Sequence, residues 1–480
     1  MRTSRRSFLR ALGVLPCALA AVPGTPRFAR RAPVPGPSRA YLGFPESAWQ
    51  FRGDSSVTAA FRSPGGGSSP VAMALRGGER YSPRPAPLPP RPPFDWESAG
   101  QVLRGRFRDL RRHFVFEYYP WYSRDPWAHW DEADRLPPYD IASNYFPLLG
   151  PYDSRDTAVI ERHAEWMAAA GVGAVNLSWW GRGDFTDRAV PAIMDVMRAH
   201  GIHVTFHLEP YTDQRAETYA RDVLHLLREY GERRRWDCFL LLQDGAGRSG
   251  PVFKSFRTIL PKTVTDCHGV TFPVPDYTED AAWRRATDTV REAVRGEFDQ
   301  VTLLADSLDF TRTQASGFDG IAIYDNYVEP VLWPGFAAQC LPRDLVFSFN
   351  VNPGFDGIAL RHVPPDSCYS PPRRIPDDEF IEEDSRRGVM GASRASVGRI
   401  RESLEGTVGL QLDPSLANAR KGFFLTYVNS FNEWHEGHQF EPMRNLGDLR
   451  PQERAIGYRN PPSGGYRLRA LGDLLQPLLS

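Results

Sequence analysis

The chain has 480 residues with 58 basic and 58 acidic side chains, so its formal net charge is zero. Without a basic excess it lacks the footprint that duplex-binding proteins use to neutralise phosphates, and nucleic acid is not expected as a partner. A hydrophobic fraction of 41% with 12% aromatics excludes a wholly disordered chain.

In chain order, the first feature is Ser4-Arg5-Arg6-Ser7-Phe8-Leu9-Arg10, followed by an apolar stretch from Ala11 to Val22 that contains Ala18-Leu19-Ala20. A basic start, a short apolar run and a small-x-small site describe an export signal of the twin-arginine type over residues 1–22. The run is interrupted by Pro16 and falls short of the ~20 residues that span a bilayer, so no stable membrane insertion is expected. The expected location is the periplasm or the exterior, the alternative being a membrane-anchored protein of a secretory compartment. Removing Cys17 with the signal leaves Cys238, Cys267, Cys340 and Cys368, with no C-x-x-C among them. Free buried thiols are expected, because a twin-arginine substrate folds in a reducing compartment.

Residues 23–105 are rich in Pro, Gly, Ser and Arg, as in Ser63-Pro64-Gly65-Gly66-Gly67 and Arg84-Pro85-Ala86-Pro87-Leu88-Pro89-Pro90. Such a segment buries too little surface to offset its ordering entropy, and is read as a disordered linker before a catalytic domain at 106–480. Beyond it come eight short apolar runs: His113 to Tyr118, Ala174 to Trp179, His203 to Leu208, Val252 to Phe256, Val301 to Ala305, Ile321 to Tyr324, Leu345 to Asn350 and Phe423 to Asn429. Amphipathic stretches separate them. Ser154 to Ala170 spaces Val159, His163, Trp166 and Met167 as a helix does, with Gly171 as its stop, and Ala216 to Tyr230 reads the same way. Eight strands alternating with helices predict an α/β chain folded as a (β/α)8 TIM barrel with extended loops. The doubly wound alternative lacks its G-x-G-x-x-G and P-loop fingerprints.

Polar and aromatic residues cluster just after the strand candidates, where a barrel builds its active site. The densest cluster is Asn429-Ser430-Phe431-Asn432-Glu433-Trp434-His435-Glu436-Gly437-His438-Gln439-Phe440-Glu441, after the eighth run. In a helical turn Glu433 and Glu436 would share a face about 5 to 6 Å apart, near enough to serve one sugar ring as acid and base. A solvated acidic turn is the bland alternative. His435 and His438 are at i and i+3 rather than the i and i+4 of H-E-x-x-H, which argues against a zinc protease, and no metal or cofactor is expected.

This segment resembles the Ser-Phe-Asn-Glu-Trp-His-Glu-Gly-Thr-Gln motif of glycoside hydrolase family 99, the endo-α-1,2-mannosidases and endo-α-mannanases. Further matches follow in the family's order: Tyr118-Tyr119-Pro120-Trp121-Tyr122 with Trp127-Ala128-His129-Trp130, Leu149-Gly150-Pro151-Tyr152-Asp153-Ser154-Arg155-Asp156, Leu177-Ser178-Trp179-Trp180-Gly181, Phe206-His207-Leu208-Glu209-Pro210-Tyr211, and Gly317-Phe318-Asp319-Gly320 with Tyr324 beyond it. The resemblance spans Phe114 to Pro442. It implies a retaining endo-α-mannosidase-like hydrolase acting on a mannose-containing oligo- or polysaccharide. Glu433 would be the base acting on the sugar 2-hydroxyl, through a 1,2-anhydro intermediate, and Glu436 the general acid that later activates water. Trp180 matches a position at the subsite one sugar beyond the cut, although a tryptophan ending a strand is core as often as stacking platform. His207 and Glu209 occupy alternate positions of one strand, so both could point inward, and similarity makes them hydroxyl ligands. Tyr119, Tyr122 and Tyr324 could bond sugar or fill the barrel mouth. Arg361 and His435 complete the implied substrate-binding set, and the enzyme is expected to be a monomer.

The departures from the family lie in loops. Its P-W-N after the arginine is lost beyond Arg361, its Y-D-S-Y is replaced by Lys254-Ser255-Phe256-Arg257, and Tyr327-Val328-Glu329-Pro330 replaces a glycine-rich loop. Two other readings therefore stay open: an endo-hydrolase of another α-linked polysaccharide, and a catalytically silent glycan-binding protein on the same fold.

Overall fold

The computed structural model describes residues 93–480 except 234, 267, 327 and 363–385. The export signal, the linker as far as 92, Cys267 and Cys368 lie outside the described residues. Each of the eight apolar runs overlaps a strand: β1 (Phe114–Tyr118), β2 (Ala174–Trp179), β3 (His203–Leu208), β4 (Ser249–Ser255), β5 (Thr302–Ala305), β6 (Gly320–Ala322), β7 (Val346–Ser348) and β8 (Thr426–Val428).

All pair in parallel, β1 with β8 through Phe114 opposite Thr426, and β1 with β2 through Val115 opposite Ala174. Pairing continues around β2 to β7 in chain order. A bridge between Val351 and Val428 closes the ring. Strands enclosed on both faces carry apolar residues without interruption, which is why these runs were readable.

Side chains alternate between the barrel interior and the helix layer. Val115, Ala174, Val252, Leu304, Ala322, Val346 and Tyr427 form an interior apolar cluster, whereas Phe114, Phe116, Val175, Leu177, Val204 and Phe206 join the larger core shared with the helices. Above that interior plug the inward residues turn polar. Glu117 of β1 accepts hydrogen bonds from Asn176 of β2 (2.9 Å) and Lys254 of β4 (2.6 Å), and lies 3.2 Å from Nδ1 of His207 on β3. All four side chains are buried.

The helix layer begins earlier than expected. Residues 96–105 were assigned to the linker, but Trp96–Arg106 forms α1, capped by the Asp95 carboxylate on the Ser98 amide. The Pro- and Gly-rich composition masks a local helical spacing, in which Ala99 and Leu103 are buried and Phe107 follows into the core. Arg104 then donates to the carbonyls of Pro477 and Leu478 in the C-terminal helix Tyr466–Leu479. The two helices predicted from periodicity are α2 (Thr157–Ala169) and, after α3 (Phe185–Ala199), α4 (Arg215–Leu226), which passes into a wider π turn over Leu227–Glu232. α2 ends where Gly171 takes φ +83°. Cys238 and Cys340 are buried free thiols. Among the described residues, no helix is long and apolar enough to cross a membrane.

Candidate active site

The segment after β8 forms a turn clamped to the end of β1. Asn432 accepts from the Tyr119 amide (2.8 Å) and donates to the Tyr119 carbonyl (3.0 Å), while the Phe431 amide donates to the Glu117 carbonyl (2.8 Å). The Tyr122 hydroxyl donates to the Asn432 carbonyl (3.1 Å) and accepts from the Trp434 amide (3.0 Å). Glu441 holds the far side, accepting from Tyr152 (2.8 Å) and from the Trp434 indole (2.9 Å). Gly437 has φ +67°, and a Cβ there would lie 2.1 Å from the Asp356 carbonyl, so only glycine fits. These contacts fix the two glutamates between Asn432 and Gly437.

Their surroundings differ. Glu433 is fully buried; its Oε1 lies 3.2 Å from Nδ1 of His435, and its Oε2 has no hydrogen-bond partner among the described residues. Burial pushes the Glu433 carboxyl up to about 8; the His435 imidazole opposes this, and the nearby Glu436 and Glu132 carboxylates reinforce it. Glu436 remains one-fifth exposed and accepts from the Tyr324 hydroxyl (2.8 Å), with Nε2 of His438 at 2.7 Å. Nδ1 of His438 meets the Ser430 hydroxyl (3.0 Å), which also accepts the Glu433 amide (2.8 Å). One serine thus ties the backbone of one glutamate to the side-chain orientation of the other.

Of the other expected site residues, Tyr324 touches Glu436 directly and is braced from behind, its carbonyl accepting from Asn350 (2.5 Å) and Asn429 (2.6 Å). His207 and Glu209 both point inward, 4.0 Å apart. Nε2 of His207 and Oε2 of Glu209 are buried without a partner among the described residues, although Ser178 donates to the other Glu209 oxygen (2.7 Å). Burial raises the Glu209 carboxyl above its usual range. Trp180 is half-buried, its indole donating to Ser178 (3.1 Å) and its ring 6.3 Å from that of Trp121. Trp121 in turn packs on Tyr119 at 4.7 Å. Tyr122 is placed otherwise: its hydroxyl serves the turn's backbone, and its ring stacks on His435 and Trp130. Arg361 pairs with Asp140 (2.7 Å) and donates to the Asp134 carbonyl (3.1 Å), contacts that tie two loops together.

His438 and Glu132 were not singled out from the sequence. His438 was legible as part of the motif, but its bond to Glu436 was not. Glu132 is buried beside His129 (2.9 Å) and His435 (3.8 Å), and the charges of these two imidazoles outweigh burial to hold its carboxyl below the usual range. His129, Ala133 and Asp134 in the same loop have positive φ of 63°, 50° and 58°, unusual for non-glycine residues and maintained only where neighbours enforce it. The ligand atoms of His129, Glu132 and His435 lie within 4.8 Å of one another, so this trio could hold a metal ion. Yet Nε2 of His435 faces the His129 carbonyl at 2.5 Å and Nδ1 faces Glu433, which describes a proton donor rather than a ligand.

A closed parallel barrel bearing two unlike glutamates on the turn after its last strand, beneath a rim of tryptophan and tyrosine, defines a glycoside hydrolase. The model for glycosyl hydrolase family 99 matches residues 95–237. Glycoprotein endo-alpha-1,2-mannosidase of Rattus norvegicus is 27% identical over 382 residues and that of Mus musculus 26% over 379, each alignment covering 71% of both chains. The structure of the family 99 endo-alpha-mannosidase from Bacteroides thetaiotaomicron superposes with a TM-score of 0.52 at 19% identity, covering 76% of this chain and 96% of that one, and shares its fold. Over these residues the chain is similar to glycosyl hydrolase family 99, and its departures from that family's motifs lie in loops.

Proposed function

We propose that the protein is an exported, monomeric, retaining endo-α-mannosidase that cuts internal linkages of a mannose-containing glycan. The observation that carries this reading is the contrast within one turn: Glu433 is enclosed with a partnerless Oε2, while Glu436 is partly exposed and oriented by Tyr324 and His438. In an α-mannoside the axial 2-hydroxyl is anti to the bond that breaks. Oε2 of Glu433 takes the 2-hydroxyl proton, O2 attacks C1, and Glu436 gives its proton to the departing oxygen. In the second half Glu436 removes a proton from water as that water attacks C1. The C1–O2 bond opens, O2 recovers the proton from Glu433, and two inversions leave the configuration retained.

The partnerless Nε2 of His207 and Oε2 of Glu209 take sugar hydroxyls, and exposed indole surface on Trp180 packs against the next ring. Tyr119 lines the mouth beside Trp121, whereas Tyr122 and Arg361 act through the turn and loops they brace. The family resemblance and the names of the curated relatives support the mannose assignment, and the twin-arginine sequence supports export.

The test is digestion of α-mannan and of glucosylated high-mannose oligosaccharide, with anomers followed by NMR. Oligosaccharides of retained configuration are expected from the wild type, with turnover at least ~10³-fold lower in both Glu433→Gln and Glu436→Gln. Binding of mannan without release of product would mean a lectin on this fold.

A further inference from the structure

We propose that Glu132 is a positioning residue for the base: acting through His435, it keeps that imidazole protonated on both nitrogens, so that Nδ1–H engages Oε1 of Glu433 and leaves Oε2 to take the sugar proton. The inference rests on the reading of Glu433 as the base. Its first support is hydrogen-bond polarity. Nε2 of His435 meets the carbonyl oxygen of His129 at 2.5 Å, and a carbonyl only accepts, so this nitrogen carries a hydrogen. The other nitrogen faces a carboxylate at 3.2 Å. With Glu433 ionised, as the base must be when it acts, the ring has acceptors at both ends and is satisfied as the cation.

The second support is charge. A buried imidazolium needs a counter-ion, and Glu132 supplies one from the loop after β1, its Oε2 3.8 Å from Nε2. The groups packed around His435 are Glu433 from its own turn, with Glu436 beyond it, and Glu132, Asp131, His129 and the rings of Tyr122 and Trp121 from the opposite loop. Four of these carry carboxylates, against one further imidazole. Burial alone would discharge His435, yet Glu132 and Glu433 carry it up to about 9. His129 also faces Glu132, at 2.9 Å, and its charge helps hold that carboxyl below the usual range.

The consequence is a division of labour between two oxygens of one carboxylate. With Oε1 tied to a cation, the carboxylate cannot rotate away from the sugar, and proton uptake is confined to the oxygen facing the 2-hydroxyl. Loss of the cation would both free the side chain and make Glu433 harder to ionise.

The test is heteronuclear NMR of imidazole nitrogens across pH in wild type, Glu132→Gln and Glu132→Asp, with His435 assigned by its loss in His435→Asn, alongside the pH profile of kcat/KM. In the wild type His435 should remain protonated through neutrality and titrate near 9. Glu132→Gln should lower that midpoint by a unit or more, move the acid limb of kcat/KM upward, and cost about tenfold in kcat/KM at neutral pH with KM little changed. Glu132→Asp should retain most of both properties. A wild-type His435 that is neutral at pH 7, or a Glu132→Gln enzyme with unaltered midpoint and acid limb, overturns the proposal; the first outcome is read without any variant at position 132. If Glu433→Gln kept its turnover, the base reading would fail and the catalytic half of this inference with it, while the His435 titration would still report the charge state directly.

Discussion

Glu117 and Glu433 are both fully enclosed in one barrel, yet their carboxyl groups are driven in opposite directions. Glu117 sits among donors from three neighbouring strands, and although burial pushes its carboxyl up, Lys254 and His207 overcome this and hold it at about 2. Among the described residues the Glu433 carboxyl meets His435 at one oxygen and no hydrogen-bond partner at the other, and it rises to about 8. Burial is common to both, so it does not decide the outcome. The neighbouring charges do: Lys254 and His207 face Glu117, whereas His435 beside Glu433 is opposed by the nearby Glu436 and Glu132 carboxylates. A carboxylate locked to a buried ammonium is framework, and one lacking such a partner is available for chemistry.

The sharpest way to break this comparison is to strip Glu117 of its cation. Lys254→Met leaves a buried, under-compensated carboxylate and should cost about 3–5 kcal/mol in denaturant unfolding, with much of the loss recovered in Lys254→Met/Glu117→Gln. If the single variant is as stable as the wild type, the ion pair is not what holds this layer. The same site sets an acid limit. Because the folded value of about 2 lies below the reference 4.5, the stability it contributes is present above pH 4.5 and lost as pH falls through 2.

Glu433 has the opposite sign. Its folded value of about 8 lies above 4.5, so ionisation in the unfolded chain favours unfolding progressively from pH 4.5 up to 8. Glu433→Gln should therefore be inactive yet more stable than the wild type at alkaline pH, with the gap closing as pH falls toward 4.5. Parallel stability curves for the two proteins across that range would show that burial does not raise the Glu433 carboxyl. The smallest effect is expected at Arg361, whose side chain is 38% exposed where it pairs with Asp140. Arg361→Ala should cost less than about 1 kcal/mol and change KM less than about threefold. A larger rise in KM would bring this guanidinium into direct contact with sugar.

The barrel was readable because strands covered on both faces must be apolar along their whole length. Their ends were less so: Phe423 to Asn429 reads as one run, but only Thr426–Val428 is strand, since apolar residues continue into the loops that cap the barrel. The helix Trp96–Arg106 was hidden because its few apolar positions follow a long proline-rich stretch, and composition averaged over the whole segment outweighs one turn of spacing. Glu433 and Glu436 were legible as neighbours within a motif. Glu132 and the Glu117–Lys254 pair were not, because their partners come from other strands and loops; Lys254 is 137 residues from Glu117, and nothing local marks either as half of a pair. Alternation along β3 placed His207 and Glu209 inward, but not which of their atoms would be left without partners.

The hydroxyl of Tyr122 meets the backbone of Asn432 and Trp434 across more than 300 positions of sequence, the second contact spanning 312. The catalytic turn therefore takes shape only when the final strand docks beside the first. During synthesis the growing barrel has no assembled site. Contacts of such long range form late in folding, so catalytic competence doubles as a proof of completion: a molecule that can cut sugar is one whose β1 and β8 have already met.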